Sequence, residues 1–149
     1  MTADASAQPA ATTNLLHHVR LTVSDIERSR AFYENVLGFE AAMASEGDPS
    51  DPDVRADPQQ LFGGVIFAVG DQLFGLRPVG PSGDTFDSAR IGLDHLSFSV
   101  GSRDDLVAAA ERLTEQSVEH GDVMDLPGGM AILSFQDPDN INIELVATS

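Results

Sequence analysis

Apolar and polar residues alternate with the period of a β-strand in two short segments of the chain, residues 18–23 and 95–100. Each segment places three aliphatic or aromatic side chains on one face and polar side chains on the other, a pattern typical of a strand with one buried face. Each also begins with a histidine, His18 in the first segment and His95 in the second. This recurrence predicts a duplicated structural unit.

A helix is predicted after each of these strands. Ser24 and Glu27 have the spacing of a capping box, which predicts that the first helix begins there and ends before Gly38. Leucine and alanine recur at helical spacing over residues 102–115, which predicts the second helix. Both helices have an apolar stripe that can cover the apolar faces of the strands.

Further strand-like runs follow each helix, and we predict the order of elements β-α-β-β-β, twice. We therefore predict an α+β fold in a single domain over residues 15–147, with one module at 15–80 and a second at 91–147. The strands are expected to form a curved mixed sheet around a cleft, with the helices on its outer face. The further strand-like runs are residues 64–69, 72–77, 130–135 and 141–146.

The remaining segments lack these patterns. Residues 1–14 are rich in small side chains and have neither the basic start nor the apolar stretch of a secretory signal, so we predict a disordered tail and a cytoplasmic protein. Residues 47–58 are dense in proline and aspartate, which indicates either a solvated insertion or a lid over a substrate. No apolar run is long enough to cross a bilayer.

Charge and composition narrow the possible partners. The chain of 149 residues has a formal net charge of −16, with 24 acidic residues and eight basic ones, all of them arginine. Such a charge repels phosphate groups, so we expect neither a nucleic acid nor an anionic membrane as partner. Because the chain has no cysteine, a bound metal ion needs histidine, carboxylate or backbone oxygen ligands.

The polar faces of the predicted strands supply such ligands. His18 and His95 lie on the polar faces of their strands, and Glu144 lies on the polar side of the last strand. Two neutral imidazoles and one carboxylate can bind a divalent ion and leave up to three positions open for substrate or water. The matching placement of the two histidines favours this metal-site hypothesis over two unrelated strand histidines.

The chain also contains a set of motifs that resembles the vicinal oxygen chelate superfamily, which includes glyoxalase I, extradiol dioxygenases, fosfomycin-resistance proteins and bleomycin-binding proteins. The resemblance covers about residues 15–146 and is specific for the superfamily, whose fold of paired β-α-β-β-β modules agrees with the pattern above. The matching residues are His18-Val-Arg-Leu-Thr-Val-Ser-Asp25, Ser29, Phe32-Tyr33, Val36-Leu-Gly-Phe39, Gly92-Leu-Asp-His95, Phe135-Gln-Asp-Pro-Asp139 and Ile143-Glu-Leu145.

The resemblance implies a metal site at His18, His95 and Glu144, but its fourth ligand position falls on Gly75. Glycine can neither bind the ion nor move a proton, which argues against the usual glyoxalase reaction. A two-histidine, one-carboxylate set is what the extradiol dioxygenases and fosfomycin-resistance proteins imply. We therefore expect a metal-dependent enzyme with dioxygenase-like chemistry on a small, oxygen-rich, chelating substrate, with iron(II) favoured and manganese, nickel, cobalt or zinc as alternatives.

Other functions stay open at this point: a glyoxalase-like lyase or isomerase, a fosfomycin-type thiol transferase, or a drug-binding protein without enzymatic activity.

His120 is the best remaining acid-base candidate, because His17 is expected on the opposite face from His18 and Tyr33 is expected to pack within its helix. A homodimer is predicted, and the metal site can lie within one chain or across two. The residues predicted to contact the substrate are Arg20 or Arg77, orienting an anionic group, with Thr22, Gly75, Ser97, Ser99 and Asn142.

Overall fold

Two βαβββ modules make up the computed structural model, which describes residues 7–149. The predicted α+β fold and its duplication are confirmed. The first module contains β1 (His18–Thr22), α1 (Ile26–Val36), β2 (Glu40–Ala44), the short α2 (Pro52–Arg55), a 3-10 helix (Pro58–Gly63), β3 (Val65–Val69) and β4 (Gln72–Arg77). The second contains β5 (Leu96–Ser99), α3 (Arg103–Glu115), β6 (Met124–Leu126), β7 (Met130–Gln136) and β8 (Asn142–Thr148).

Each module forms its own four-stranded mixed sheet, with strand order β1-β4-β3-β2 in the first and β5-β8-β7-β6 in the second. The first strand of each module pairs in parallel with the last, and the other pairs are antiparallel. Arg20 lies opposite Gly75 in the first sheet, and Ser97 lies opposite Glu144 in the second. Gly75 and Glu144 therefore occupy equivalent positions in the two modules.

The apolar faces of both sheets and the two long helices share one hydrophobic core. Aromatic rings cross the boundary between the modules, because Phe98 of β5 packs against Phe39 and Phe74 with ring centroids 5.2 and 5.5 Å apart. From the second module, Leu106 and Leu113 of α3 are buried in the same cluster. The two modules therefore share one core, and the opposite faces of the sheets remain open.

The helix starts agree only in part with the sequence patterns. Ser102 caps α3, as predicted, by accepting a hydrogen bond from the backbone N–H of Asp105. The predicted capping box at Ser24 is wrong, because Asp25 is the N-cap of α1 and accepts from the N–H of Arg28. The hydroxyl of Ser24 instead donates to a carboxylate far away in the chain.

That carboxylate belongs to a buried cluster in the turn between β7 and β8. Asp139 accepts hydrogen bonds from the Ser24 hydroxyl and from the Arg28 guanidinium. Asp137 accepts from the Tyr33 hydroxyl at 2.8 Å, and burial raises the pKa of both of these groups. Both aspartates are buried, so the contacts with α1 replace the water that the carboxylates lose on folding.

The remaining segments carry little regular structure. Of the predicted tail, residues 1–6 lie outside the described residues, and residues 7–14 are exposed and contain neither helix nor strand. The segment at 47–58 is more ordered than a solvated insertion, because it contains α2 and buries Val54. Among the residues that the structure describes, no helix is long and apolar enough to cross a membrane.

Replacing Tyr33 with phenylalanine tests the contact between the modules. Tyr33→Phe removes a hydrogen bond to a buried carboxylate, so we expect a loss of about 1.5–3 kcal/mol in the free energy of unfolding near pH 7. Chemical denaturation measures this loss. Ser99→Ala, which removes an exposed strand hydroxyl, is the control and should change stability little.

The effect of Tyr33→Phe should depend on pH. The folded-state pKa of Asp137 already lies above its ordinary value of 3.8, and losing the tyrosine donor raises it further because that donor stabilises the charged form. A group with a raised folded-state pKa binds protons more readily in the folded state, so the variant should recover stability relative to wild type as pH falls through that raised pKa. An equal loss of stability in Tyr33→Phe at neutral and acidic pH would contradict the role of the Tyr33 hydroxyl as a donor to charged Asp137.

Candidate metal centre

The residues predicted to bind a metal and a substrate lie mainly on the open faces of the two sheets. In the first sheet, strand pairing puts His18, Arg20 and Thr22 of β1 on the same face as Gly75 and Arg77 of β4. In the second sheet, pairing puts Ser97 and Ser99 on the same face as Glu144. Strand alternation therefore located the polar faces correctly.

His95 and Glu144 come together on the open face of the second sheet. His95 lies just before β5 rather than within it, and its Nε2 is 3.8 Å from Oε2 of Glu144. Two donors that bind the same ion lie about 3 Å apart, given metal–ligand bonds of about 2.0–2.2 Å. A small side-chain rotation would let both atoms bind one divalent ion, so this pair fits the chemistry of a metal centre.

The carboxylate of Asp94 fixes the orientation of the His95 ring. Oδ1 of Asp94 lies 2.6 Å from Nδ1 of His95. Because a carboxylate only accepts hydrogen bonds, Nδ1 carries the proton, and the neutral ring then presents the free lone pair of Nε2 toward Glu144. The hydrogen bond with Asp94, assisted by the nearby charge of Glu144, raises the pKa of His95 above its ordinary value of 6.5.

Two residues predicted to contact the substrate also orient this pair. The Ser97 hydroxyl donates to Oε1 of Glu144 at 2.9 Å, which leaves Oε2 facing His95. The side-chain amide of Asn142 donates to the backbone carbonyl of Asp94 at 3.2 Å. Both side chains therefore contribute to the geometry of the His95–Glu144 pair.

His18 lies on the other sheet, beside a second histidine. Nδ1 of His18 is 2.9 Å from Nδ1 of His17, and both rings line a cavity of about 180 Å³ on the open face of the first sheet. The expectation that His17 faces away from His18 is wrong, because β1 begins at His18 and alternation does not extend back to His17. Within residues 7–149, no three histidine or carboxylate side chains form a cluster that could hold a metal ion, so one chain does not unite His18 with His95 and Glu144.

His120, the predicted acid-base residue, lies apart from the His95–Glu144 pair and from His18. Its backbone forms an isolated β-bridge with that of Phe135, whose side chain is buried in the core. Glu144, by contrast, lies opposite Ser134 on the open face of the sheet. Its Nε2 contacts the Thr114 hydroxyl at 2.7 Å, and its Nδ1 contacts the carbonyl of Gly121 at 2.6 Å. Both ring nitrogens are thus engaged, and the structure does not bring His120 to the His95–Glu144 pair.

Two residues that sequence reasoning missed contact the predicted site residues. Asp94 directly precedes His95, and that adjacency was a usable signal because a carboxylate beside a ligand histidine commonly orients it. Phe62, whose ring lies under the guanidinium of Arg77, comes from the 3-10 helix and follows no periodic pattern. Its position depends on the backbone path and has no signature in the sequence.

Comparison with known proteins identifies the family to which this chain belongs. Residues 15–145 match the model of the Glyoxalase/Bleomycin resistance protein/Dioxygenase superfamily, and the chain is a member of that family. The uncharacterized protein YwkD of Bacillus subtilis is 32% identical over 131 residues, which cover 87% of this chain and 94% of YwkD.

Solved structures agree with this assignment. A glyoxylase/bleomycin resistance protein/dioxygenase domain from Frankia sp. EAN1pec is 31% identical, with a TM-score of 0.74 over 93% of this chain and all of that one. The fosfomycin resistance protein FosX of Listeria monocytogenes, solved in complex with Mn(II) and sulfate, is 19% identical, with a TM-score of 0.64 over 93% of each chain. The likeness to FosX concerns the fold alone.

The raised pKa of His95 can be tested by removing its partner. In Asp94→Asn the carboxylate is lost, so we expect the pKa of His95 to fall toward its ordinary value of 6.5. An NMR titration of the imidazole resonances in metal-free protein measures the change. Asp71→Asn, which alters an exposed aspartate of the β3–β4 turn, should leave the pKa of His95 unchanged; equal effects of the two substitutions would contradict the assigned cause.

Proposed function

We propose that this protein is a metal-dependent enzyme that uses His18, His95 and Glu144 to bind a divalent ion and acts on a small, oxygen-rich substrate that chelates it. The observation that carries the proposal is the oriented His95–Glu144 pair, in which Asp94 and Ser97 direct one free donor atom from each residue toward the other. A drug-binding protein without a metal would not need this orientation. Membership of the superfamily is consistent with the proposal.

The donor set favours iron(II) and dioxygenase-like chemistry. Two imidazoles and one carboxylate leave open positions for a substrate that binds through two oxygens. When bound, the ion would supply Lewis acidity toward the substrate, and iron(II) would add reactivity with oxygen. Gly75 has no side chain to act as a further ligand or to move a proton, which disfavours a glyoxalase-type isomerisation.

We further propose that the three ligands come together across a homodimer, with His18 from one chain and the His95–Glu144 pair from the other. His18 is not clustered with that pair within one described chain, which motivates a shared site. Apolar side chains support an interface on the open faces, because Met43 on the first sheet and Met124 on the second are 52% and 55% exposed. Met43 lies opposite Ile66, which lines the apolar cavity beside His18, and contiguous exposed apolar surface is typical of interaction surfaces.

Metal content tests the ligand set. Protein purified without oxygen and without an affinity tag should contain near-stoichiometric iron, and His95→Ala and Glu144→Ala should each lose most of it because two ligands hold a divalent ion much less tightly than three. Inductively coupled plasma mass spectrometry measures the content. His120→Ala is the matched control and should retain the metal, because both nitrogens of that ring have other partners.

The iron-loaded protein should consume oxygen in the presence of catechols, and His95→Ala should not. Stoichiometric metal without oxygen consumption, but with isomerase or thiol-transfer activity, would support the other enzymatic functions of the superfamily. If no divalent ion is bound or taken up on titration, the enzyme proposal is overturned and the drug-binding alternative is favoured.

Mixed dimers test whether the site is shared. When His18→Ala and His95→Ala chains are co-expressed in equal amounts, about half of the dimers contain one chain of each, and one of the two sites in such a dimer has all three ligands. A shared site therefore predicts recovery of about a quarter of the wild-type metal content and activity, whereas each variant alone has almost none. A site within one chain predicts no recovery.

A further inference from the structure

Two arginines on the open face of the first sheet have no acidic partner among the described residues, although the chain has 24 acidic residues. The arginines that do form ion pairs are Arg28, Arg30 and Arg103. Arg20 and Arg77 form none, and they lie on adjacent strands of the same face as His18. Two unpaired guanidinium groups so close together raise the local positive potential, which favours an anionic ligand.

Gly75 provides the floor on which Arg20 lies. A Cβ atom at position 75 would be only 3.2 Å from Nε and 3.4 Å from Cγ of Arg20, so a larger residue there would displace this side chain. The cavity of about 180 Å³ beside His18 is lined by Arg20, Gly75 and Ile66 among others. Its lining is mainly apolar apart from the arginine and the histidines, which suits an organic group better than a solvated inorganic ion.

The second guanidinium is held by an aromatic ring. Cζ of Arg77 lies 3.7 Å from the centroid of the Phe62 ring, and Cζ of Arg20 lies 5.7 Å from it. A guanidinium stacked on a ring keeps its N–H groups free in its own plane. Nε of Arg77 is buried without a hydrogen-bond partner, and a buried donor left unpaired costs about 1–3 kcal/mol. An acceptor that reaches this atom would remove that cost.

The backbone that carries Phe62 is strained. Leu61 and Phe62 have φ angles of 52° and 56°, in the left-handed region that bulky side chains rarely adopt. Each such residue costs about 1–2 kcal/mol. Strain of this kind persists mainly at ligand-binding segments and active sites. Here it places an aromatic ring against both arginines.

We propose that Arg20, Arg77 and Phe62 form a subsite for the carboxylate of a planar organic acid, aromatic or conjugated, with Gly75 leaving room for the Arg20 side chain. The two guanidinium groups bind the carboxylate oxygens, with a shift of the Arg77 side chain that brings its buried Nε–H to one of them, and Phe62 packs beside the planar group. A dianionic phosphate would need more cations than two arginines and no lysine supply. This inference deepens the proposed function, on which it rests for the role of the acid as substrate.

Benzoate binding to metal-free protein tests the subsite without relying on the metal centre. The Nε–H resonance of Arg77, assigned by its absence in Arg77→Lys, should shift on titration with benzoate and saturate, whereas benzyl alcohol should leave it in place. Arg77→Lys keeps the charge but loses Nε–H and the planar stack, so benzoate should bind at least about ten-fold more weakly. Arg90→Gln, in the segment between the modules, is the control and should bind benzoate like wild type.

Two more variants complete the test. Arg20→Gln should also weaken benzoate binding about ten-fold, and because Arg20 is exposed on the sheet, this variant keeps the test decisive even if Arg77→Lys folds poorly. Phe62→Leu should reduce the preference for benzoate over cyclohexanecarboxylate several-fold. The subsite is overturned if benzoate leaves the Arg77 resonance unmoved, if Arg20→Gln binds benzoate like wild type, or if inorganic phosphate binds more tightly than benzoate.

The outcome is separable from that of the metal experiment. Benzoate binding in a chain that takes up no metal would support the subsite and overturn the enzyme proposal. Stoichiometric metal with no benzoate response would support the metal-dependent enzyme and overturn the subsite.

Discussion

Two buried carboxylates in the turn between β7 and β8 hold the modules of this protein together. Asp137 and Asp139 lie in the second module, yet their main side-chain partners, Tyr33, Ser24 and Arg28, come from the first. A buried carboxylate without donors is strongly unfavourable, so the turn cannot move away from α1 without losing these bonds and exposing the core beneath. The relative positions of the two sheets, and hence of their open faces, depend on this contact.

The duplicated backbone supports different chemistry at equivalent positions. In the second module the third residue of the repeat is Ser97, which donates to Glu144 on the adjacent strand. In the first module the same positions hold Arg20 and Gly75, and the arginine lies across the glycine. One sheet thus presents an oriented carboxylate and imidazole, while the other presents guanidinium groups beside a histidine. The same backbone therefore carries a different set of polar side chains in each of the two modules.

The sequence predicted most of the strands and both long helices, because their apolar residues recur with the correct period and face a shared core. It did not locate β2, all five of whose residues are exposed, since an edge strand with no buried face has no alternation. The capping box at Ser24 failed for a different reason. The Ser24 hydroxyl, which fits the local pattern, instead donates to the buried Asp139, which is distant in sequence.

The sequence by itself determined the duplication, the polar faces of the strands and the residues available as ligands, because strand periodicity fixes which side chains share a face. Only the tertiary structure decided which of these residues meet. It joined His95 to Glu144 and Asp94, left His18 beside His17, directed His120 toward Thr114, and brought Phe62 against Arg77. These contacts depend on how two sheets and a strained loop pack in space, and no local pattern encodes distances between segments that are far apart in the chain.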